Sequence, residues 1–265
     1  MLKRLLITGA AGGLGKLARS GLDDMADVLR LSDIAEMEPA SAGEEVVPCE
    51  LGDLEAVRAL VAGCDGIVHL GGISKENSFS KVLNANIVGL YNLYEAARLE
   101  GKPRILFASS NHTIGFHKQD VHLDQNAKLQ PDGLYGVSKC FGEQMASLYH
   151  NKFGIETALV RIGSCFPEPL DHRMLSTWLS PRDFLSLIRC VFQVPRLGCP
   201  IIWGVSDNEA RWWDNSAAAF VGWRPQDNSE VFRAKIDAAM PRPAPDAVDA
   251  VYQGGKFVAD PIIQD

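Results

Sequence analysis

A chain of 265 residues that is 46% hydrophobic can bury a substantial core, so one domain with at most a small lobe is expected. A formal charge of -7 and a pI near 5.4 leave no basic footprint, which argues against nucleic acid or an anionic membrane surface as a partner. The apolar start, Met1 to Ile7, stops at Thr8-Gly9, too short for a signal peptide or a membrane span, so a soluble, cytoplasmic protein is expected.

Short apolar runs alternate with helical patterns through the first 165 residues, the signature of strand-helix-strand units around a parallel sheet. Strands are expected at 4–8, 28–32, 45–49, 66–70, 104–108 and 157–162, and helices at 13–24, 54–61, 79–100 and 135–153. Directly after the first strand comes Gly9-Ala10-Ala11-Gly12-Gly13-Leu14-Gly15, then the helical Lys16-Leu17-Ala18-Arg19. Glycine there lets the backbone turn tightly and approach a pyrophosphate, with helix N-terminal N–H groups aimed at the phosphates. The spacing is GxxGxxG rather than GxGxxG, and a glycine-rich turn with no ligand is the plain alternative.

The second strand ends in Leu31-Ser32-Asp33, where a carboxylate can accept from ribose hydroxyls and would repel a 2′-phosphate, favouring NAD over NADP. Arg30 on the same strand could in principle serve a phosphate. Glu50-Leu51-Gly52-Asp53 and Leu70-Gly71-Gly72-Ile73 end the next two strands, at the carboxyl edge where open α/β sheets bind ligands. As ordinary turns they need no function. Further on, Tyr135 and Lys139 stand four residues apart at the start of a helix, hence on one face. An ammonium beside a phenol is expected to favour the phenolate and bring tyrosine toward the range of a useful base. A solvated helix face shows the same spacing without any chemistry.

Beyond Ile162 the pattern changes to scattered prolines, five tryptophans at 178, 203, 212, 213 and 223, and few clear strands. This predicts that residues 164–265 contribute a small lobe over the sheet edge, its tryptophans supplying core area. Pro241-Arg242-Pro243-Ala244-Pro245 reads as a stiff connector to Gly254-Gly255-Lys256-Phe257. The six cysteines carry neither a CxxC nor a ligand cluster, so reduced thiols without zinc are expected.

The N-terminal GxxGxxG, Asp33, Asn86 within Asn86-Ile87-Val88-Gly89-Leu90-Tyr91-Asn92, Ser109-Ser110 and YxxxK together resemble the extended branch of the short-chain dehydrogenase/reductase superfamily. Phe107-Ala108-Ser109-Ser110-Asn111-His112-Thr113-Ile114-Gly115, Val160-Arg161-Ile162-Gly163-Ser164-Cys165, Trp212-Trp213-Asp214-Asn215-Ser216 and the C-terminal Gly254-Gly255-Lys256-Phe257 are similar, over essentially the whole chain, to the bacterial uronate dehydrogenase family. Glu50 departs from it, since the family usually shows Asp there.

The resemblance implies an α/β, Rossmann-type doubly wound parallel sheet with a small C-terminal substrate lobe. It implies NAD-dependent oxidation of the C1 hydroxyl of a cyclic hexuronic acid to an aldaric acid lactone. Tyr135 would be the base, Lys139 its electrostatic support and hold on the nicotinamide ribose, and Ser110 the hydroxyl orienting the substrate oxygen. Gly9, Gly12, Gly13, Leu14, Gly15, Asp33, Glu50, Leu51, Leu70, Gly71, Gly72, Asn86, Ser109, Ile162 and Cys165 would join Tyr135 and Lys139 around NAD. The substrate would meet Ser74, Ser110, Asn111, His112, Tyr135, Ser164, Arg173 and Phe257, with the Arg173 guanidinium gripping its carboxylate. The extended branch often associates through the helices at 79–100 and 135–153, so a homo-oligomer is expected. Two other readings share these motifs: a nucleotide-sugar epimerase or dehydratase, for which about 100 residues after Ile162 is short, and a non-catalytic NAD-sensing module, which would have no need of Ser110, Tyr135 and Lys139.

Overall fold

The computed structural model describes all 265 residues. Strands β1 (Leu2–Thr8), β2 (Ala26–Ser32), β3 (Glu44–Val46), β4 (Gly66–His69), β5 (Arg104–Ser110) and β6 (Thr157–Ile162) lie in a seven-stranded sheet in which every pairing is parallel. Spatial order is β3-β2-β1-β4-β5-β6 with β9 (Ile201–Gly204) outside β6, and the direction of winding reverses between β1 and β4. A crevice opens at that reversal, outside the carboxyl ends of the strands. Leu5, Leu6 and Ile7 are wholly buried in β1, each such side chain stabilising the fold by about 1.5–3 kcal/mol.

Helices α1 (Gly13–Gly21) and α7 (Pro181–Gln193) cover one face, with Ala18, Leu22, Phe184, Leu187 and Val191 in its core. The other face is covered by α2 (Leu54–Val61), α4 (Gly89–Leu99) and α5 (Leu134–Phe153), through Val57, Leu60, Leu93, Ala97 and Ala146. A short α3 (Phe79–Val82) leads into α4 through a π turn at Leu83–Val88, so the helix expected at 79–100 is one rod with a widened turn. Gly89 lets that rod close on the loop after β3, because a Cβ there would stand 2.8 Å from Leu51 Cβ.

Two expectations need correction. The third strand stops at Val46 rather than Cys49: Val47 N still donates to Leu31 O at 2.8 Å, but the next bond, from Cys49 N to Asp33 O, has lengthened to 3.3 Å. The chain after Ile162 also holds more regular structure than its prolines suggest. Ser180 caps α7 by accepting from Asp183 N at 3.0 Å, Pro181 occupies its first turn, and Phe184, Leu187, Ile188 and Val191 face the core at helical spacing. Beyond it β9 (Ile201–Gly204) pairs with β6, Leu159 opposite Ile201, as the seventh strand. The remaining C-terminal residues cap the carboxyl end of β5 and β6. They comprise β7 (Ser164–Cys165) paired with β8 (Trp178–Leu179), α6 (Met174–Thr177), α8 (Arg233–Ala239) and α9 (Val248–Val251). Trp203 stacks on Trp213 at 5.0 Å, and with Trp212, Ile114, Leu123 and Val205 they form a small satellite core under this cap.

Candidate active site

One cavity of about 1630 Å³ runs along the carboxyl ends of the strands, larger than the roughly 300–1,000 Å³ of a single small-molecule site. At one end the β1-α1 turn supplies Gly9, Gly12, Gly13, Leu14 and Gly15. Gly9 has φ +71°, and its Cβ would meet Gly71 N at 2.7 Å; a Cβ on Gly15 would collide with Gly9 O. Gly13 is different: nothing in the protein lies within 4 Å of where its Cβ would be. Glycine at that cavity-lining position is explained by a ligand approaching the backbone, which is the fit expected for a pyrophosphate at a helix N-terminus.

Asp33 ends β2 beside that turn, its Oδ2 accepting from Ala11 N at 3.0 Å and Oδ1 from Ala35 N at 3.1 Å. Arg30 is committed elsewhere, to Glu45 at 2.7 Å and the Leu60 carbonyl at 2.7 Å, and does not line the cavity. Glu50, Leu51, Leu70, Gly71 and Gly72 follow along the wall. Asp53 lies off it and caps α2, accepting from Glu55 N and Ala56 N.

Asn86 does not line the cavity as expected. Its amide braces two elements instead: Oδ1 accepts from Ile73 N at 2.8 Å, and Nδ2 donates to Ile73 O at 3.0 Å and to Ser138 Oγ at 2.8 Å. Ser109 lines the wall, yet its hydroxyl donates to Glu143 Oε1 at 2.7 Å, part of a buried pair in which Glu143 also accepts two 2.8 Å bonds from Arg161. This pair ties α5 to β5 and β6.

At the middle of the cavity Ser110, Tyr135 and Lys139 converge. Lys139 Nζ donates to Ala108 O at 2.8 Å and lies 5.6 Å from the centre of the Tyr135 ring. Burial pushes the Tyr135 phenol up to about 12, with a hydrogen bond to Ser110 working against it, and pulls Lys139 down to about 8. The simple expectation of an ammonium depressing a phenol is therefore not met by the side chains alone. The ammonium is turned to a backbone carbonyl, and desolvation outweighs attraction. Cys165 also lines this region, and burial raises its thiol to about 12, so it is no thiolate.

At the far end Ser74, Asn111, His112, Ser164, Arg173 and Phe257 share the wall. With its amide nitrogen donating to Ile162 O at 3.1 Å, Asn111 turns its oxygen to Arg173 Nη2 at 2.6 Å. Arg173 Nε donates to Gln253 O at 2.7 Å, and Gly255 leaves room for the arginine, since a Cβ would stand 2.6 Å from its Cδ. Burial lowers the Arg173 pKa to about 10, so it stays charged at neutral pH. The 3-10 turn at Gly255–Ala259 brings the Phe257 ring onto His112, centroids 4.0 Å apart. Two residues that the sequence reading missed stand behind these groups. Glu76 accepts from Leu134 N and Tyr135 N, each at 3.0 Å, capping an α5 whose own N-cap is Gly133. Asp132 accepts from His112 Nδ1 at 2.8 Å. No local signal marks either one, because both act across the fold.

Comparison with known proteins agrees with this geometry. Residues 5–180 match the NAD dependent epimerase/dehydratase family. The chain is 59% identical to a uronate dehydrogenase of Agrobacterium fabrum over 99% of both chains, and 53% identical to one of Pseudomonas putida over 97% of both. Among solved structures, an NAD complex of a tyrosine-to-alanine variant of Agrobacterium tumefaciens uronate dehydrogenase superposes with a TM-score of 0.98, at 58% identity and 99% coverage of each chain.

Proposed function

The chain belongs to the NAD dependent epimerase/dehydratase family and, within it, to the uronate dehydrogenases; we propose that its substrates are the cyclic forms of D-galacturonate and D-glucuronate, oxidised at C1 to the aldaric acid lactone. The observation that carries this is a single cavity holding a glycine turn, a Ser-Tyr-Lys set and a half-buried arginine.

When bound, NAD accepts the hydride from the sugar carbon. The glycine turn and Asp33 would hold its adenosine end, and Asp33, with Arg30 tied to Glu45, disfavours a 2′-phosphate. Ser110 orients the C1 hydroxyl and Tyr135 takes its proton. Burial raises the pKa of that phenol, so its anion depends on stabilisation inside the cavity: the Ser110 hydroxyl lowers it by a hydrogen bond, and Lys139 is the nearby cation that would favour the anion once the site is filled. Arg173, held by Gln253 and Asn111, grips the substrate carboxylate with its free edge. Ser74, Asn111, His112 and Ser164 meet the sugar hydroxyls under Phe257.

Two coarser observations extend the proposal. No helix is long and apolar enough to cross a membrane, and all six cysteines are free, which suits a reducing cytoplasm. Val88 and Tyr91 on one rod and Val137 and Leu148 on α5 are exposed apolar side chains, which favours a homo-oligomer through these helices.

The test is a screen for NADH formation from free uronic acids, neutral aldoses and UDP-sugars with NAD and with NADP. Activity confined to uronic acids with NAD is expected. No NADH from either uronate, together with turnover of a UDP-sugar, would contradict the assignment.

A further inference from the structure

Asp132 lies three residues before Tyr135, only 7% exposed, and its Oδ1 meets no donor of the protein. A buried carboxylate left half-satisfied costs stability, so packing does not explain it. The backbone around it is nevertheless shaped to accept it. A Cβ on Gly115 or on Gly254 would collide with Asp132 Oδ2, and Gly254 N donates to Gly115 O at 2.9 Å across the same slot. These two glycines have φ of -57° and -69°, values any residue adopts, so the carboxylate between them is what requires glycine.

The carboxylate in that slot hydrogen-bonds one side chain, His112, which lines the far end of the cavity. A carboxylate oxygen accepts, so Nδ1 of the ring donates. Phe257 covers the ring at 4.0 Å and Tyr135 meets it edge-on at 5.8 Å, which fixes its plane. Nε2 has no protein partner and belongs to a residue that lines the cavity.

We propose that Asp132 is a positioning residue for the oxidation: it holds the His112 ring, Nδ1–H inward, so that Nε2 is presented to the cavity as the acceptor for a sugar hydroxyl. Its carboxylate charge also reaches Tyr135 and Arg173, raising the pKa of both, but the one side chain it bonds is His112, and its positioning effect is on substrate orientation by way of that ring. The use of Nε2 rests on reading the cavity as a uronate site, whereas the orientation of the ring does not.

The experiment compares the parent enzyme with Asp132→Asn, His112→Ala and the double variant, using D-galacturonate and NAD, and adds nitrogen NMR of the histidine rings. In Asp132→Asn the KM for galacturonate should rise about tenfold or more while NAD affinity stays within about twofold. Adding Asp132→Asn to His112→Ala should raise the KM little further, because the carboxylate orients the sugar through that ring. The parent should show Nδ1 of His112 protonated. A KM within about twofold of the parent, or a loss that adds in full to that of His112→Ala, would overturn the proposal. So would an Nδ1 of His112 that carries no proton. Should the parent turn over no uronate, the functional assignment fails, and the NMR arm still decides the role of Asp132.

Discussion

Arg173 illustrates how one side chain is prepared by its neighbours. Its Nε and Nη2 are spent on Gln253 and Asn111, which aims the remaining edge of the guanidinium and would lower the entropy lost in the proposed grip on a carboxylate. Arg173→Ala should raise the KM for uronates by about 100-fold with a smaller effect on kcat, as read from initial rates; an unchanged KM would remove it from carboxylate recognition. His69 shows the cost of burial beside a functional cation. It bonds Thr8 Oγ1 at 2.7 Å, and desolvation, with Lys139 nearby, drops its pKa from 6.5 to about 3. The unfolded chain therefore takes up a proton first as pH falls from 6.5 toward 3, so stability is present above 6.5 and lost on acidification. Urea midpoints measured from about pH 7 down to about pH 5 should fall less steeply in His69→Asn than in the parent. Parallel slopes would show that this imidazole is not responsible.

At the scale of elements, the decisive feature is how α5 is seated. A helix starting at Gly133 has no side-chain cap of its own, and Glu76, reaching from the loop after β4, supplies one with both carboxylate oxygens. Glu76→Ala should destabilise the protein by about 1–2 kcal/mol in urea unfolding and lower kcat, since Tyr135 sits on that first turn. An unaltered midpoint and kcat would show that α5 is held elsewhere. The alternation of β1 to β6 with helices was legible because each strand is a short apolar run and the first two helices carry a glycine or acidic start. Gly9 to Gly15, Asp33, Tyr135 and Lys139 were legible for the same reason, being local patterns with mechanical meanings. What escaped the sequence were long-range contacts: Glu76 on Tyr135 N, Asp132 on His112, and Asn86 turned to Ser138 rather than to the cavity. Helix α7 was readable from Ser180-Pro181 and the spacing of Phe184, Leu187, Ile188 and Val191, but the surrounding prolines and tryptophans masked it.

For the whole molecule, the parallel sheet brings its strand ends to one edge, and the C-terminal segments carrying Arg173 and Phe257 close on the same space. The net charge of -7 gives no general attraction for an acidic sugar, which is why the proposed recognition falls to a local cation, Arg173. The exposed faces of α4 and α5 predict that light scattering finds a multiple of 28.9 kDa, reduced to 28.9 kDa by Tyr91→Glu with Leu148→Glu. A parent mass of 28.9 kDa would contradict association through these helices. The account as a whole depends on the phenol at the centre of the cavity. Turnover of D-galacturonate by Tyr135→Phe, measured with NAD affinity in the same preparation, tests it most directly. The expected result is a loss of about 10²–10⁴-fold in kcat with NAD binding nearly intact, and turnover within a few-fold of the parent would contradict it.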